Sequence, residues 1–254
     1  MATLQTLAPL AVVFGLLSAL SWGTGDFCGG VATKRSPGYS VVMVAEFVGA
    51  VLLIGLALIT GEPWPSSQNL LIALVAGLAG VAGLGALYQG LAIGKMGVVA
   101  PLSAIVGAAV PIIIALFTDG RTSVTQFAGF GMALIAVWLL AGTGEFKANQ
   151  REIFLALIAG LGFGFYFVLI AQASNEHVFW PLSVARIAAG IAFLLFILIT
   201  RRPVLPSRDA LGLSSLAGVA DAGGNLFFAL AAQSGRLDVA AVVASLYPGM
   251  TVIL

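Results

Sequence analysis

Apolar runs of about 20 residues follow one another along this chain, broken only where polar residues, proline and glycine gather. The runs predict helices at about 7–28, 38–60, 69–92, 97–118, 123–142, 152–173, 180–200 and 209–233, with a ninth starting near 238. The breaks fall at Lys34-Arg35-Ser36-Pro37, Gly61-Glu62-Pro63-Trp64-Pro65, Asp119-Gly120-Arg121, Asn175-Glu176-His177, Arg201-Arg202-Pro203 and Arg236-Leu237-Asp238, the residue types that interrupt helices. A helix of about 20 apolar residues crosses a bilayer, so the fold class expected is an all-α membrane protein. The first run lacks a basic flank and has a counterpart later in the chain, which reads as a retained helix rather than a signal peptide.

Shifted by 141 positions, the chain falls into register with itself without a gap. Trp22-Gly23 lands on Phe163-Gly164, Pro65-Ser66 on Pro206-Ser207, Ala76-Gly77 on Ala217-Gly218, and Gly94-Lys95 on Gly235-Arg236. The expected organisation is a first repeat over 1–142 (helices one to five), a loop at 143–151 and a second repeat over 152–254 (helices six to nine). Five spans is an odd number, so successive copies enter the bilayer in opposite orientations. Such inverted repeats place a substrate site near the midplane, at the interface of the copies, here expected between helices one, three, six and eight. The register puts the counterpart of residue 142 at 283, about 29 residues beyond Leu254. The second copy is therefore expected to be C-terminally truncated, lacking a tenth helix.

Composition narrows the class further. The chain is 60% hydrophobic and 8% charged, with a net charge of +1, against about 25% charged residues in soluble domains. That balance excludes a nucleic-acid partner. The lone Cys28 and lone His177 leave no internal disulfide and no metal site of these ligand types. Gly160-Leu161-Gly162-Phe163-Gly164 sits inside a helix with no preceding strand, so it is no nucleotide loop, and no cofactor is expected. Lys34, Arg35, Lys95, Lys147, Arg151, Arg201, Arg202 and Arg208 collect on one face, and Arg121 and Arg236 on the other. The first face is expected in the cytoplasm, with the N-terminus outside.

Ionisable groups within spans cost about 2.5–3.5 kcal/mol or more at a helix centre, so each invites a function. Asp26 lies late in helix one, where it could bind a cation, take up a coupling proton or face interfacial water. Glu46 sits in helix two, and Arg186 sits at nearly the matching place in helix seven. They read either as a structural ion pair or as an anion contact through Arg186. Asp221 and Asn225 share a face of helix eight, with Gly223 and Gly224 leaving room between them for a ligand or a backbone. Trp22, Tyr88, Gln89 and Tyr166 could line the same cavity; for the aromatics, helix packing or an interfacial belt is the plainer reading. Pro101, Gly107 and Pro111 in helix four, and Pro248-Gly249 in helix nine, are expected to bend or break their helices, as hinges or as static packing features.

The run Ala19-Leu20-Ser21-Trp22-Gly23-Thr24-Gly25-Asp26-Phe27 stands in helix one, and Gly90 to Gly94 and Val98-Val99-Ala100-Pro101-Leu102-Ser103-Ala104, in helices three and four, have second-copy partners. These are Ala231 to Gly235, then Ala240 to Ser245 with Leu246-Tyr247-Pro248-Gly249. In order and spacing they resemble the drug/metabolite transporter superfamily, EamA type, along the whole chain. The resemblance implies two five-helix repeats, no enzyme activity, transport of a small molecule, and both termini in the cytoplasm. It also implies a Gly-Glu-Arg stretch after the fourth helix. Thr118-Asp119-Gly120-Arg121 stands there instead, without the glutamate.

The expected function is therefore a secondary transporter. It would move a small polar or amphipathic metabolite across a bacterial cytoplasmic membrane by alternating access, as an exporter. Its partners would be a small-molecule substrate and the lipid bilayer, with a homodimer left open. One rival is an intramembrane aspartyl protease using Asp26, in Gly23-Thr24-Gly25-Asp26, with Asp221; such a pair must share a proton. The other rival is a non-transporting membrane scaffold.

Overall fold

The computed structural model describes residues 2–93, 96–118, 149–234 and 237–254, together with Ala128, Gly131, Met132 and Ile135. The helices described are α1 (Ala2–Thr33), α2 (Gly38–Thr60), α3 (Ser67–Ile93), α4 (Met96–Thr118), α5 (Gln150–Ala173), α6 (Phe179–Ile199), α7 (Arg208–Gln233), α8 (Leu237–Ala244) and α9 (Tyr247–Ile253). No strand occurs among the described residues. Six helices, α1, α2, α3, α5, α6 and α7, are long and apolar enough to cross a membrane. The span expected at 123–142 lies outside the described residues except for the four isolated positions. Large apolar side chains cover the outside, as at Phe117, Ile59 and Ile199, the surface a lipid solvent calls for.

Two expectations about helix breaks come out differently. The ninth span divides: α8 ends at Ala244 and α9 starts at Tyr247. A proline at 248 has no N–H for the carbonyl four residues back and its ring crowds it, and that carbonyl belongs to Ala244. The Ser245 hydroxyl donates instead to the Val242 carbonyl at 2.7 Å. By contrast α4 runs unbroken from Met96 to Thr118 through Pro101, Gly107 and Pro111. The expected break at α4 is therefore absent.

Hydrogen bonds between loops fix the direction of each helix. Glu62, just past α2, accepts from the backbone N–H groups of Val178, Phe179 and Trp180 at 2.6, 3.1 and 2.9 Å. The end of α2 and the start of α6 therefore share one face of the bundle. At the other face Ser207 N–H donates to Ser36 Oγ at 2.9 Å, and the Ser40 hydroxyl donates to the Pro203 carbonyl at 2.7 Å. Gln233 Nε2 donates to the Ser174 carbonyl at 2.5 Å, joining the C-terminal ends of α5 and α7. Following the chain through these ties, α1 and α5 run in opposite directions. The copies are inverted.

The copies are also exchanged in space. The most extensive contacts are α1 on α7 and α3 on α5, followed by α4 on α5, α2 on α6, α2 on α7 and α3 on α6. Each of these pairs joins one repeat to the other. They come in matched sets: α1–α7 mirrors α3–α5, and α2–α7 mirrors α3–α6. The closest approaches follow the same symmetry. A Cβ on Gly77 would lie 2.9 Å from the Ala185 Cα, and one on Gly218 would lie 2.7 Å from the Ala45 Cα. Trp22 stands against Gly224 as its counterpart Phe163 stands against Gly83. Lipid tails give apolar helices no reason to associate, so small residues that bring backbones together hold such bundles.

Gly218→Val should therefore lower the thermal unfolding temperature of detergent-purified protein by several degrees. Gly85→Ala, where a Cβ meets nothing within 4 Å, should leave it unchanged. Equal melting curves for the two variants would contradict backbone contact as the source of cohesion.

Candidate functional site

Halfway across the bundle the spans bring four helices together around one guanidinium. Arg186 lies seven residues into α6, about 10 Å from its start, and is 3% exposed. Its Nη1 donates to Glu46 Oε2 on α2 at 3.2 Å, and its Nη2 donates to Asp221 Oδ2 on α7. Its Nε has no hydrogen-bond partner among the described residues. Gly49 makes room for this arrangement: a Cβ there would lie 2.6 Å from Nη1 and 2.9 Å from Cζ.

The cluster continues from Asp221 to α5. Asn225 Nδ2 donates to the Asp221 carbonyl at 3.0 Å and reaches its Oδ2 at 3.4 Å. The Tyr166 hydroxyl donates to Asn225 Oδ1 at 2.7 Å, while its ring rests on Gly80 of α3. Glu46, Arg186, Asp221, Asn225 and Tyr166 thus form one connected network joining α2, α5, α6 and α7. The polar network therefore lies on the second, sixth, seventh and eighth spans rather than on one, three, six and eight.

Exposure within the network is uneven. The Asp221 side chain is 39% exposed and that of Glu46 17%, against 3% for Arg186. The guanidinium is enclosed by its two carboxylates, and the open edge is acidic. Asp26 adds to that edge. It is exposed on α1, one residue from Gly25, where a Cβ would lie 3.3 Å from the Asp221 backbone nitrogen. Asp221 is ion-paired with Arg186, which is not the proton-sharing carboxylate pair an aspartyl protease requires.

The remaining candidates divide. Trp22 is buried, its ring 5.5 Å from Phe167, 5.8 Å from Phe228 and edge-on to Tyr247 at 6.1 Å. Its ring also stands against Gly224, the residue before Asn225. Gln89 is exposed on α3, and Gly107 packs against the α5 backbone at Gly160. Pro111 is fully buried in α4, and Gly249 lies in α9. The side chains of Tyr88, Pro101 and Pro248 lie outside the described residues.

Glu62 was not singled out by the sequence, although its role is structural and precise in position. The residue before α6 is Val178, which has no side-chain oxygen, so the first N–H groups of α6 need an acceptor from elsewhere. Glu62 supplies it from the other repeat, and the Trp180 indole donates back to the Glu62 carbonyl at 3.0 Å. Trp64 packs edge-on to Trp180 with ring centroids 4.6 Å apart. The legible signal was a lone carboxylate in a Pro/Trp loop together with a helix start that has no cap.

Removing one member of a buried ion cluster strands the charges that remain, at a cost of about 3–5 kcal/mol. Arg186→Met should therefore destabilise the protein by about that much, and Arg186→Met/Glu46→Gln/Asp221→Asn should recover most of it. Unfolding in detergent measures both; a triple variant no more stable than the single one would contradict the pairing.

Comparison with known proteins agrees with this architecture. The model of the EamA-like transporter family matches residues 9–142 and again residues 150–254. The uncharacterized protein MJ1333.1 of Methanocaldococcus jannaschii is 28% identical over 132 residues, which is 52% of this chain and 96% of that protein. That relative is close to one repeat in length. A solved crystal structure superposes with a TM-score of 0.73 over 96% of this chain and 86% of its own, at 18% identity, a likeness of fold. This chain is a multi-pass membrane protein and belongs to the EamA-like transporter family.

Proposed function

We propose that this chain is a secondary transporter that exports a small polar or amphipathic metabolite across the bacterial cytoplasmic membrane. The observation that carries the reading is the network of Glu46, Arg186, Asp221, Asn225 and Tyr166 at mid-depth. Charged groups so far from either surface are expensive in a purely structural protein. They also lie where the two copies meet, the usual place for a carrier's binding site.

The uneven exposure suggests how the site works. Arg186 holds the two carboxylates in place and is itself closed off. Asp221 and Asp26 face the open side, where they would accept hydrogen bonds from a substrate or take a coupling proton. Asn225 and Tyr166 would orient the substrate through neutral hydrogen bonds. The two copies would rock about this site. The interrupted helix α8–α9, with Pro248 and Gly249, would act as one joint, and α4, with Pro101, Gly107 and Pro111, as the other.

Asp221→Asn and Asp26→Asn would each take the charge out of one proposed hydrogen bond to the substrate, a contact of the kind worth about 1.5–3 kcal/mol. Each should cut flux by about tenfold or more while leaving membrane insertion intact. Flux is measured in reconstituted vesicles with a substrate found by thermal-shift screening of metabolite pools. Undiminished flux in both variants would remove the network from the transport path.

A further inference from the structure

Five cations gather at the bundle face where α1 and α6 end. Lys34 and Arg35 follow α1; Arg201 and Arg202 follow α6; Arg208 opens α7. All five are exposed, and Asp209, in the first turn of α7, is the acid beside them in sequence. The loops are stapled together. Ser207 N–H donates to Ser36 Oγ at 2.9 Å, the Ser207 hydroxyl donates to the Arg35 carbonyl at 3.2 Å, and the Ser40 hydroxyl donates to the Pro203 carbonyl. Arg202 lies over the Tyr39 ring, 5.3 Å from its centroid, which holds its guanidinium close to the bundle. The cations therefore form a fixed surface rather than two independent tails.

A second observation is that a charged residue stands where glycine would fit better. Helices α2 and α6 end in the same motif. In α2, Gly61 N–H bonds to Leu58 O and Glu62 N–H to Ala57 O; in α6, Arg201 N–H bonds to Leu198 O and Arg202 N–H to Ile197 O. The turning residue is left-handed in both, with φ 66° at Gly61 and φ 52° at Arg201. Glycine adopts that conformation freely and arginine does not. The second repeat carries the strained residue, and that residue is one of the five cations.

We propose that this surface binds the phosphate headgroups of anionic phospholipids. The five residues flank helices that cross the membrane, so they stand at headgroup level, where a lipid phosphate is the anion at hand. Guanidinium groups pair with phosphate through two parallel hydrogen bonds. Leu205, 69% exposed, and Val204, 37% exposed, lie in the same loop and would enter the acyl boundary beneath the headgroups.

The test uses the full chain in neutral detergent, with phosphatidylglycerol, phosphatidylcholine or soluble glycerol phosphate added. Unfolding temperature and lipid adducts in native mass spectrometry are recorded. Phosphatidylglycerol should raise the unfolding temperature by a few degrees and the other two should not. The gain should shrink in 1 M salt, where the screening length falls to about 3 Å. Arg201→Gly/Arg202→Gln should weaken phosphatidylglycerol binding by about 30-fold. Because the glycine relieves the left-handed strain, this variant should be no less stable than the parent without lipid, which separates lost binding from misfolding. Equal effects of the two lipids, an equal shift from glycerol phosphate, or a double variant that keeps its lipid preference would each overturn the proposal.

Discussion

Cohesion in this bundle depends on backbones touching. Lipid tails solvate an apolar helix as well as another helix does, so hydrophobic burial does not drive the spans together. Dispersion between closely apposed chains has to do so, and it decays within an ångström of contact. Gly77 against Ala185 and Gly218 against Ala45 are the places where that condition is met most tightly. Both contacts pass from one repeat to the other. The duplication is thus a pair of copies threaded through each other, in which a helix finds its main neighbour in the opposite copy.

The charge network follows from that threading. Arg186 comes from the second copy, Glu46 from the first, and Asp221 from the second. They meet because α2 lies against both α6 and α7, and because Gly49 offers no side chain to displace the guanidinium. An enclosed cation between two carboxylates is stable only when all three groups are present. The same residues therefore hold the copies together and present an acidic edge at mid-depth.

Much of this was legible in the sequence. Apolar runs located the eight described spans they predicted to within about five residues at α1 and about two at the others, and the shift of 141 revealed the duplication. An odd number of spans per copy gave inversion, which the loop ties display. The register placed Arg186 beside the counterpart of Glu46. It could not add Asp221, because that contact depends on how α7 crosses α2, and hydrophobic patterning carries no crossing angle. Asp221 and Asn225 were grouped by helical spacing alone. The partner hydroxyl of Tyr166, 59 residues from Asn225 in sequence, needed three dimensions. The helix divides just before Pro248 but runs on through Pro101 and Pro111: neighbouring helices can support a proline within a span, and sequence alone does not show where that support exists.

The Glu62 contact carries a consequence for biogenesis. Its carboxylate leaves the ribosome 116 residues ahead of Val178, the first N–H it binds. At about 5–20 residues per second, that is an interval of roughly ten seconds. Through that interval the first copy sits in the bilayer with its small-residue grooves against lipid and its main helical neighbours not yet made. Insertion and assembly are thus separate events in time. The newborn first half is an intermediate that must be shielded from pairing with the wrong helix until the second half arrives.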